Sequence, residues 1–190
     1  FLKHIDRILP SININPKSLI YNWKNEAERF FPTLKVCIYD ESVEKRKKKL
    51  EEFGDFDLII TSFDVASRDC DELQKVKFLY LVLDEAHNIK NRTTKRTTNI
   101  KKIKSQYRLA LTGTPLENSL EELWSIFDFV IPGYLGSFKQ FNENYVKNEE
   151  NREQKIYELK NKITPFMLRR KKEDVLKELP DKIENIVSVE

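Results

Sequence analysis

The chain has 190 residues, of which 39% are hydrophobic and 34% charged, and its formal net charge is +3. This balance is typical of a globular protein with a charged surface and a sizeable core, and so small a net charge does not by itself indicate nucleic acid. The longest apolar run, 78–83, is far too short to cross a bilayer. Cys37 and Cys70 lack zinc-site spacing and are too few for a disulfide framework, which favours a reduced, intracellular protein.

The first part of the chain predicts strands and helices in alternation. Residues 1–9 have the apolar spacing of the end of an amphipathic helix. Apolar runs predict buried strands at 57–63, 78–83 and 107–112, with weaker candidates at 34–39 and at 11–15, where two asparagines fit poorly into a strand buried on both faces. Polar segments of helix length lie between the strands, at about 18–31, 42–53, 64–75 and 93–105. We therefore expect an α/β fold with a mostly parallel sheet and helices on both faces.

The strand pattern ends near residue 130 and a helical pattern replaces it. Ser119 and Glu122 can form a capping box, and apolar residues at helical spacing follow them. The Ile-Pro-Gly sequence at 131–133 predicts the end of that helix. Further helices are predicted at about 137–147, 152–163 and 170–179. We expect an α/β domain at 1–130 and a helical appendage at 131–190.

Two carboxylates, Asp84 and Glu85, directly follow the predicted strand 78–83. In open α/β sheets, ligands bind at the carboxyl ends of the strands. One carboxylate can hold Mg²⁺ through water, while the other orients or activates an attacking water molecule. Asp84, next to the rigid strand, suits the metal and Glu85 suits the base. For an isolated Asp-Glu pair a solvated acidic turn is the simpler interpretation, and a metal-dependent nuclease would need a third carboxylate that no recognisable spacing provides.

A second polar turn follows the predicted strand 107–112. Thr112, Gly113 and Thr114 lead into a proline, and the glycine supplies the small, flexible residue that such a turn needs. The two hydroxyls are expected at the same sheet edge as Asp84, where they could pass the state of a bound phosphate to a neighbouring element. A plain turn without a ligand is the alternative.

These segments and others, taken in order, resemble the motifs of the Swi/Snf family of DNA translocases, within the superfamily-two helicase-like ATPases. Residues 84–91 and 112–118 resemble motifs II and III, and residues 16–23 and 60–63 resemble motifs Ia and Ib. The stretches 122–137 and 165–182 are also characteristic of that family. The resemblance covers about residues 16–187, and so many motifs in order are far more specific than any single one.

The resemblance implies a RecA-like lobe of a motor that moves along double-stranded DNA and remodels protein–DNA complexes. ATP and Mg²⁺ would be the cofactors of the complete protein. Asp84 would act on Mg²⁺ through water, and Glu85 would act on the hydrolytic water. The remaining residues implied for the nucleotide site, and for its coupling to the DNA path, are His87, Thr112, Gly113 and Thr114.

The resemblance also implies contacts with the phosphate backbone of double-stranded DNA. The residues concerned are Lys17, Ser18, Thr61 and Ser62 from motifs Ia and Ib. Lys90 and Asn91 are further DNA-facing candidates, because they begin a basic stretch that follows the predicted strand 78–83. Backbone contacts carry no base information, so binding is expected to be salt-sensitive and sequence-tolerant. Ser18 can also cap the helix 18–31, and both roles are compatible because a helix N-terminus is itself a phosphate site.

Two other groups have simpler structural interpretations. Trp23, Ala27 and Phe30 have a helical spacing that favours the core over a base-stacking surface. The basic run 46–49 is typical of a solvated helix face.

The chain departs from the family pattern at the phosphate-binding loop, which needs glycines followed by a lysine. None of the four glycines here precedes a lysine. We therefore expect that ATP binding needs a loop before Phe1 and a second RecA-like lobe after Glu190, and that the 190-residue chain alone neither binds ATP tightly nor hydrolyses it. A non-catalytic DNA- or protein-binding module is the alternative. Abundant Lys, Asn and Ile indicate an AT-rich genome. A prokaryotic source is favoured, which would place the protein in the cytoplasm at the nucleoid, whereas a eukaryotic protein would be nuclear.

Overall fold

A computed structural model describes residues 9–113, 119–148 and 151–170. The chain forms two compact units, Phe1–Lys147 and Asn148–Glu190. In the part of the chain that is described, strands occur only before residue 111 and helices follow them, as the sequence pattern predicts. The two units separate later in the chain than this change of pattern. A domain boundary at residue 130 stays a prediction.

The first unit contains a five-stranded parallel sheet with the strand order β2-β3-β1-β4-β5. The strands are β1 (Ser11–Asn15), β2 (Val36–Ile38), β3 (Leu58–Ser62), β4 (Phe78–Leu83) and β5 (Ser105–Ala110). In this register Ile14 lies opposite both Thr61 and Leu83, and Leu83 lies opposite Ala110. The carboxyl ends of β1, β3, β4 and β5 therefore meet along one edge of the sheet, and the predicted α/β fold is confirmed.

The central strand β1 was the weakest strand candidate in the sequence, yet all five of its residues are buried. Ile12 and Ile14 belong to the main core on one face of the sheet. Asn13 and Asn15 point to the other face, where the Asn15 side-chain amide donates to Asn13 Oδ1 over 3.4 Å. The asparagines are tolerated in a buried strand because one satisfies part of the other's hydrogen bonding.

Helices cover both faces of the sheet. The helices of the first unit are α1 (Ile20–Phe30), α2 (Val43–Glu51), α3 (Phe63–Arg68), α4 (Cys70–Leu73), α5 (Lys95–Lys102), α6 (Leu120–Val130) and α7 (Phe138–Phe141). Short 3-10 turns occur at Lys17–Leu19, Phe53–Asp55 and Ala86–Ile89, and a π-helical turn at Asn142–Val146 follows α7. The second unit contains α8 (Arg152–Ile163) and a 3-10 turn at Thr164–Phe166. No described helix is long and apolar enough to cross a membrane.

Several predicted elements differ in detail from the structure. The helix predicted at 64–75 is split into α3 and α4 at Asp69, whose carboxylate accepts hydrogen bonds from Arg46 and Tyr39. Ser119 caps α6 by accepting from the Glu122 N–H over 3.3 Å, but the described hydrogen bonds do not include the reciprocal one, which the Ser119 N–H would donate to the Glu122 carboxylate. The predicted helical segment 1–9, apart from Leu9, and the helix 170–179, apart from Arg170, lie outside the described residues.

The edge strand β5 is more exposed than its sequence predicts. Tyr107, Leu109 and Leu111 each have between 40 and 50% of their surface exposed. They lie on the sheet face that also carries Ser11 and Asn13, and Leu109 and Leu111 help to line a groove of about 940 Å³ between this face and α1. Asp84 also lines the groove, so the groove reaches the carboxyl edge of the sheet.

Candidate functional site

Asp84 directly follows β4, and hydrogen bonds hold both its backbone and its side chain in place. Its N–H donates to the Ile14 carbonyl over 2.9 Å, which ties it to the central strand. Its Oδ2 accepts from Trp23 Nε1 over 2.8 Å, and its Oδ1 accepts from the Glu85 N–H over 2.9 Å. The carboxylate is half-buried and is oriented at both oxygens.

Glu85 has left-handed backbone angles, with φ 52° and ψ 53°. Among the described residues it is the only one other than glycine with a positive φ. Such a conformation costs an ordinary residue about 1–2 kcal/mol and persists where surrounding contacts impose it. Here the Glu85 carbonyl accepts both the backbone N–H and the side-chain amide of Asn88. The Glu85 carboxylate remains partly exposed, and its Oε2 lies 3.2 Å from His87 Nδ1.

The end of β5 is joined to this turn by two backbone hydrogen bonds. The Leu111 N–H donates to the Leu83 carbonyl, and the Leu111 carbonyl accepts from the Ala86 N–H, each over 2.8 Å. Thr112 and Gly113 follow immediately and therefore lie beside the Asp84–Glu85 turn, at the edge where the sequence predicts them. Thr114, the third residue of that predicted group, lies outside the described residues.

Lys17 and Ser18 are exposed in the 3-10 turn that precedes α1. The capping position of α1 is Leu19, so the prediction that Ser18 caps this helix is wrong. The chain begins α1 through the 3-10 turn, which moves the capping position one residue beyond Ser18. Lys17 Nζ lies 3.4 Å from Asp40 Oδ2. Lys17 and Ser18 both face solvent, where a phosphate could reach them.

Thr61 and Ser62, the two predicted contacts from motif Ib, are buried. The Thr61 hydroxyl donates to the Tyr39 carbonyl over 2.6 Å. The Ser62 hydroxyl donates to Asp40 Oδ1 over 2.6 Å and accepts from the Val65 N–H, which caps α3. Because both hydroxyls are directed at neighbouring elements, this geometry gives no support to the prediction that they meet DNA phosphates.

Lys90 and Asn91 are exposed after the 3-10 turn that follows Glu85. Two cations of the basic stretch 90–104 are held in ion pairs, however. The partly exposed Arg96 pairs with Asp64 over 2.6 Å, and the largely buried Lys101 pairs with Asp128 over 2.8 Å.

The basic run 46–49 is only partly a solvated helix face. Arg46 is buried and pairs with Asp69 over 2.6 Å, whose hydrogen bond raises the pKa of the guanidinium. Lys49 donates to the Ile38 carbonyl over 2.8 Å. Lys47 and Lys48 are exposed, as the sequence interpretation expected.

A comparison of the whole sequence with known families adds to this geometry. The profile of the SNF2-related domain matches residues 1–190. This chain belongs to the SNF2-related domain family. The predicted resemblance to the Swi/Snf family is therefore confirmed.

Individual relatives agree with the family. The SNF2-related chain is 43% identical over 190 residues to the TATA-binding protein-associated factor MOT1 of Saccharomyces cerevisiae. This match covers 93% of the chain and 10% of MOT1. The chain is 44% identical over 182 residues to an uncharacterized ATP-dependent helicase of Mycoplasma pneumoniae, covering 96% of this chain and 17% of that protein. The chain thus spans a small part of the length of the curated relatives that it matches.

A solved structure confirms the RecA-like fold. The Sulfolobus solfataricus SWI2/SNF2 ATPase core in complex with double-stranded DNA is 41% identical to the SNF2-related chain, with a TM-score of 0.82. The match covers 95% of this chain and 38% of that one.

The sequence did not predict that Trp23 contacts Asp84. Its helical spacing with Ala27 and Phe30 predicted three core residues, but only Ala27 is buried and Phe30 is 60% exposed. The Trp23 indole instead donates to Asp84. The available signal was chemical, since a partly buried tryptophan normally needs a partner for its N–H group.

Proposed function

We propose that the SNF2-related chain forms part of the first RecA-like lobe of an ATP-dependent translocase that moves on double-stranded DNA and remodels protein–DNA complexes. The observation that carries this proposal is the Asp84–Glu85 turn, which the central strand, α1 and the end of β5 hold in place. The relatives add support, because one is named an ATP-dependent helicase and a solved ATPase core of the family is in complex with double-stranded DNA.

The donor set at Asp84 fits a magnesium–nucleotide site. In such sites Mg²⁺ is bound by one or two carboxylates together with waters and substrate phosphates, and not by a full protein cage. Asp84 offers one oriented carboxylate, and the described residues form no cluster of three or more metal-ligating side chains. Asp84 would therefore hold the ion through water. When bound, the ion would neutralise charge that develops on the transferred phosphoryl group.

Glu85 is the residue that we assign to the attacking water. Its carboxylate is partly exposed at the end of the rigid strand β4, and its left-handed backbone turns it away from the strand direction. A carboxylate in this position can orient a water molecule and accept its proton. His87, 3.2 Å from the Glu85 carboxylate, is proposed to link the nucleotide site to the DNA path. We propose the same role for Thr112, Gly113 and Thr114.

For the DNA surface we propose Lys17, Ser18, Lys90 and Asn91, which are all exposed. They suit contacts with backbone phosphates, so binding should weaken steeply with salt and depend little on base sequence. A second RecA-like lobe is proposed as the further partner that completes the ATP site. The matched relatives come from bacteria and from yeast, so they do not favour the predicted prokaryotic source over a eukaryotic one.

The test measures ATP hydrolysis, with and without double-stranded DNA, by an extended protein that joins this chain to a phosphate-binding loop and a second RecA-like lobe. We expect DNA to stimulate hydrolysis and Glu85→Gln to reduce the stimulated rate at least a hundredfold, because the amide cannot accept a proton from water. Glu26→Gln, which removes one carboxylate from the α1 wall of the groove, is the matched control and should retain the rate. An unstimulated protein, or a Glu85→Gln variant with the normal rate, would contradict the proposal.

The 190-residue chain alone provides a second test. We expect it to show no DNA-dependent ATP turnover, since its sequence contains no glycine-lysine loop for the nucleotide phosphates. Measurable turnover by the purified chain, abolished by Glu85→Gln, would show that this part of the proposal is wrong.

A further inference from the structure

Asp40 lies between the two groups of residues that motifs Ia and Ib contribute. It follows β2 closely, and the Tyr39 N–H extends the pairing with β3 by donating to the Ile60 carbonyl over 2.8 Å. This pairing places Asp40 at the carboxyl edge of the sheet, next to Ser62 at the end of β3. Its side chain is only 7% exposed.

Both oxygens of the Asp40 carboxylate have a partner. The Ser62 hydroxyl donates to Oδ1 over 2.6 Å, which is the short distance of a charge-assisted hydrogen bond. The Lys17 ammonium group lies 3.4 Å from Oδ2 and is itself 79% exposed. Lys17 is the partner that a phosphate from outside could also engage.

The two contacts differ in how readily they can be exchanged. Ser62 is buried and its hydroxyl also caps α3, so this contact belongs to the folded core. The Lys17 contact is an exposed ion pair, and such pairs contribute little to stability and are screened by salt. Lys17 can therefore leave Asp40 for another anion, while Asp40 remains in place beside it.

We propose that Asp40 is an internal competitor of DNA phosphate, a carboxylate that holds Lys17 in the absence of DNA and lowers the affinity of this edge for the duplex. The proposal rests on the proposed function, since it takes Lys17 as a contact to the DNA backbone. Asp40 keeps the Ser62 hydroxyl occupied and leaves a negative charge next to the place where a phosphate meets Lys17. Binding at this edge is thereby made weaker and more easily reversed.

The experiment measures duplex binding by fluorescence anisotropy, without nucleotide and at several salt concentrations. It uses the same extended protein as the ATP hydrolysis assay. Asp40→Asn removes the charge and keeps an oxygen that can accept from Ser62. We expect it to bind about threefold more tightly, which is the effect of removing one unit charge several ångströms from a phosphate in water. The slope of log affinity against log salt should steepen by up to about 0.9, because one more cation becomes available to replace counterions.

Glu41→Gln is the matched control. It makes the same change of net charge one residue away, but Glu41 pairs with Lys45 and Lys49 on α2 and not with Lys17. We expect its duplex affinity to change by less than that of Asp40→Asn. An equal gain in both variants would overturn the proposal, because net charge alone would then account for it.

A Lys17→Ala background separates this inference from the proposed function. Lys17→Ala should weaken duplex binding, and Asp40→Asn should then give little or no gain. If Lys17→Ala leaves binding unchanged, or if no duplex binding is detected, the proposed contact is wrong and the inference falls with it. If Lys17→Ala weakens binding but Asp40→Asn does not strengthen it, only the inference is overturned. Thermal unfolding checks that each variant is folded, and Asp40→Ser is the second neutral variant if asparagine disturbs the end of β2.

Discussion

Two stretches of the same sheet edge carry polar side chains and use them in different ways. At the end of β4, the contacts from Trp23 and from the Glu85 N–H orient the Asp84 carboxylate and leave it half-buried beside a groove. At the ends of β2 and β3, the hydroxyls of Thr61 and Ser62 are buried and donate to Tyr39 and Asp40, which follow β2. The first stretch therefore presents its functional groups, whereas the second keeps its hydroxyls for the fold.

In the proposed function, a residue of a motif need not touch the ligand that the motif serves. Thr61 and Ser62 would act on DNA by placing the chain around them, while the exposed Lys17 and Ser18 would make the contact. We call the end of β4 the presenting stretch, and the ends of β2 and β3 with the residues that hold them the supporting stretch. Four substitutions test this division.

Arg46→Met is expected to have the largest effect on stability, because it removes a buried partner from the supporting stretch. The guanidinium donates twice to Asp69, and the loss would leave Asp69 without its cation. We expect a loss of about 3 kcal/mol in the free energy of unfolding, measured by urea denaturation. Lys47→Met, on the exposed face of the same helix, should change it by less than about 0.5 kcal/mol. Equal effects of the two variants would show that the Arg46 pair does not support this stretch.

Trp23→Phe tests the presenting stretch by removing one hydrogen bond to Asp84 while keeping an aromatic ring. A hydrogen bond to a charged group is worth about 1.5–3 kcal/mol, so we expect about a tenfold loss of DNA-stimulated ATP hydrolysis. We also expect a higher Mg²⁺ concentration for the half-maximal rate, because an Asp84 carboxylate held at only one oxygen would hold the ion less well. Tyr21→Phe, which removes an exposed hydroxyl from the same helix, is the control. A fall in thermal stability with unchanged Mg²⁺ dependence would make Trp23 a purely structural residue.

Ser62→Ala and Ser18→Ala should affect different properties, the first stability and the second duplex affinity. Ser62→Ala removes both the cap of α3 and the hydrogen bond to Asp40, so we expect a loss of about 1–2 kcal/mol in the free energy of unfolding and little change in duplex affinity. Ser18→Ala, at an exposed position, should leave stability unchanged and weaken duplex binding slightly. The division would be wrong if Ser62→Ala weakened binding more than Ser18→Ala did. Urea denaturation and fluorescence anisotropy provide the two measurements.

Most of the fold was predictable because it follows from local patterns. Short apolar runs gave the positions of β3 and β4 to within a residue or two, and the alternation with helices implied parallel strands whose carboxyl ends share an edge. That topology alone brings Asp84 close to Thr112 and Gly113. The left-handed turn at Glu85 was not predictable, because no glycine or asparagine marks it and contacts from Asn88 and Leu111 surround it.

The sequence by itself determined the family, the order of the strands and helices along the chain, and the edge of the sheet at which the two carboxylates lie. Only the tertiary structure decided that Trp23 holds Asp84, that Thr61 and Ser62 are buried, and that Asp40 stands between Ser62 and Lys17. The physical reason is that periodicity and motif spacing report on neighbours along the chain. Burial and hydrogen-bond partners instead depend on side chains that lie 22 to 61 positions apart and meet only when the sheet has formed.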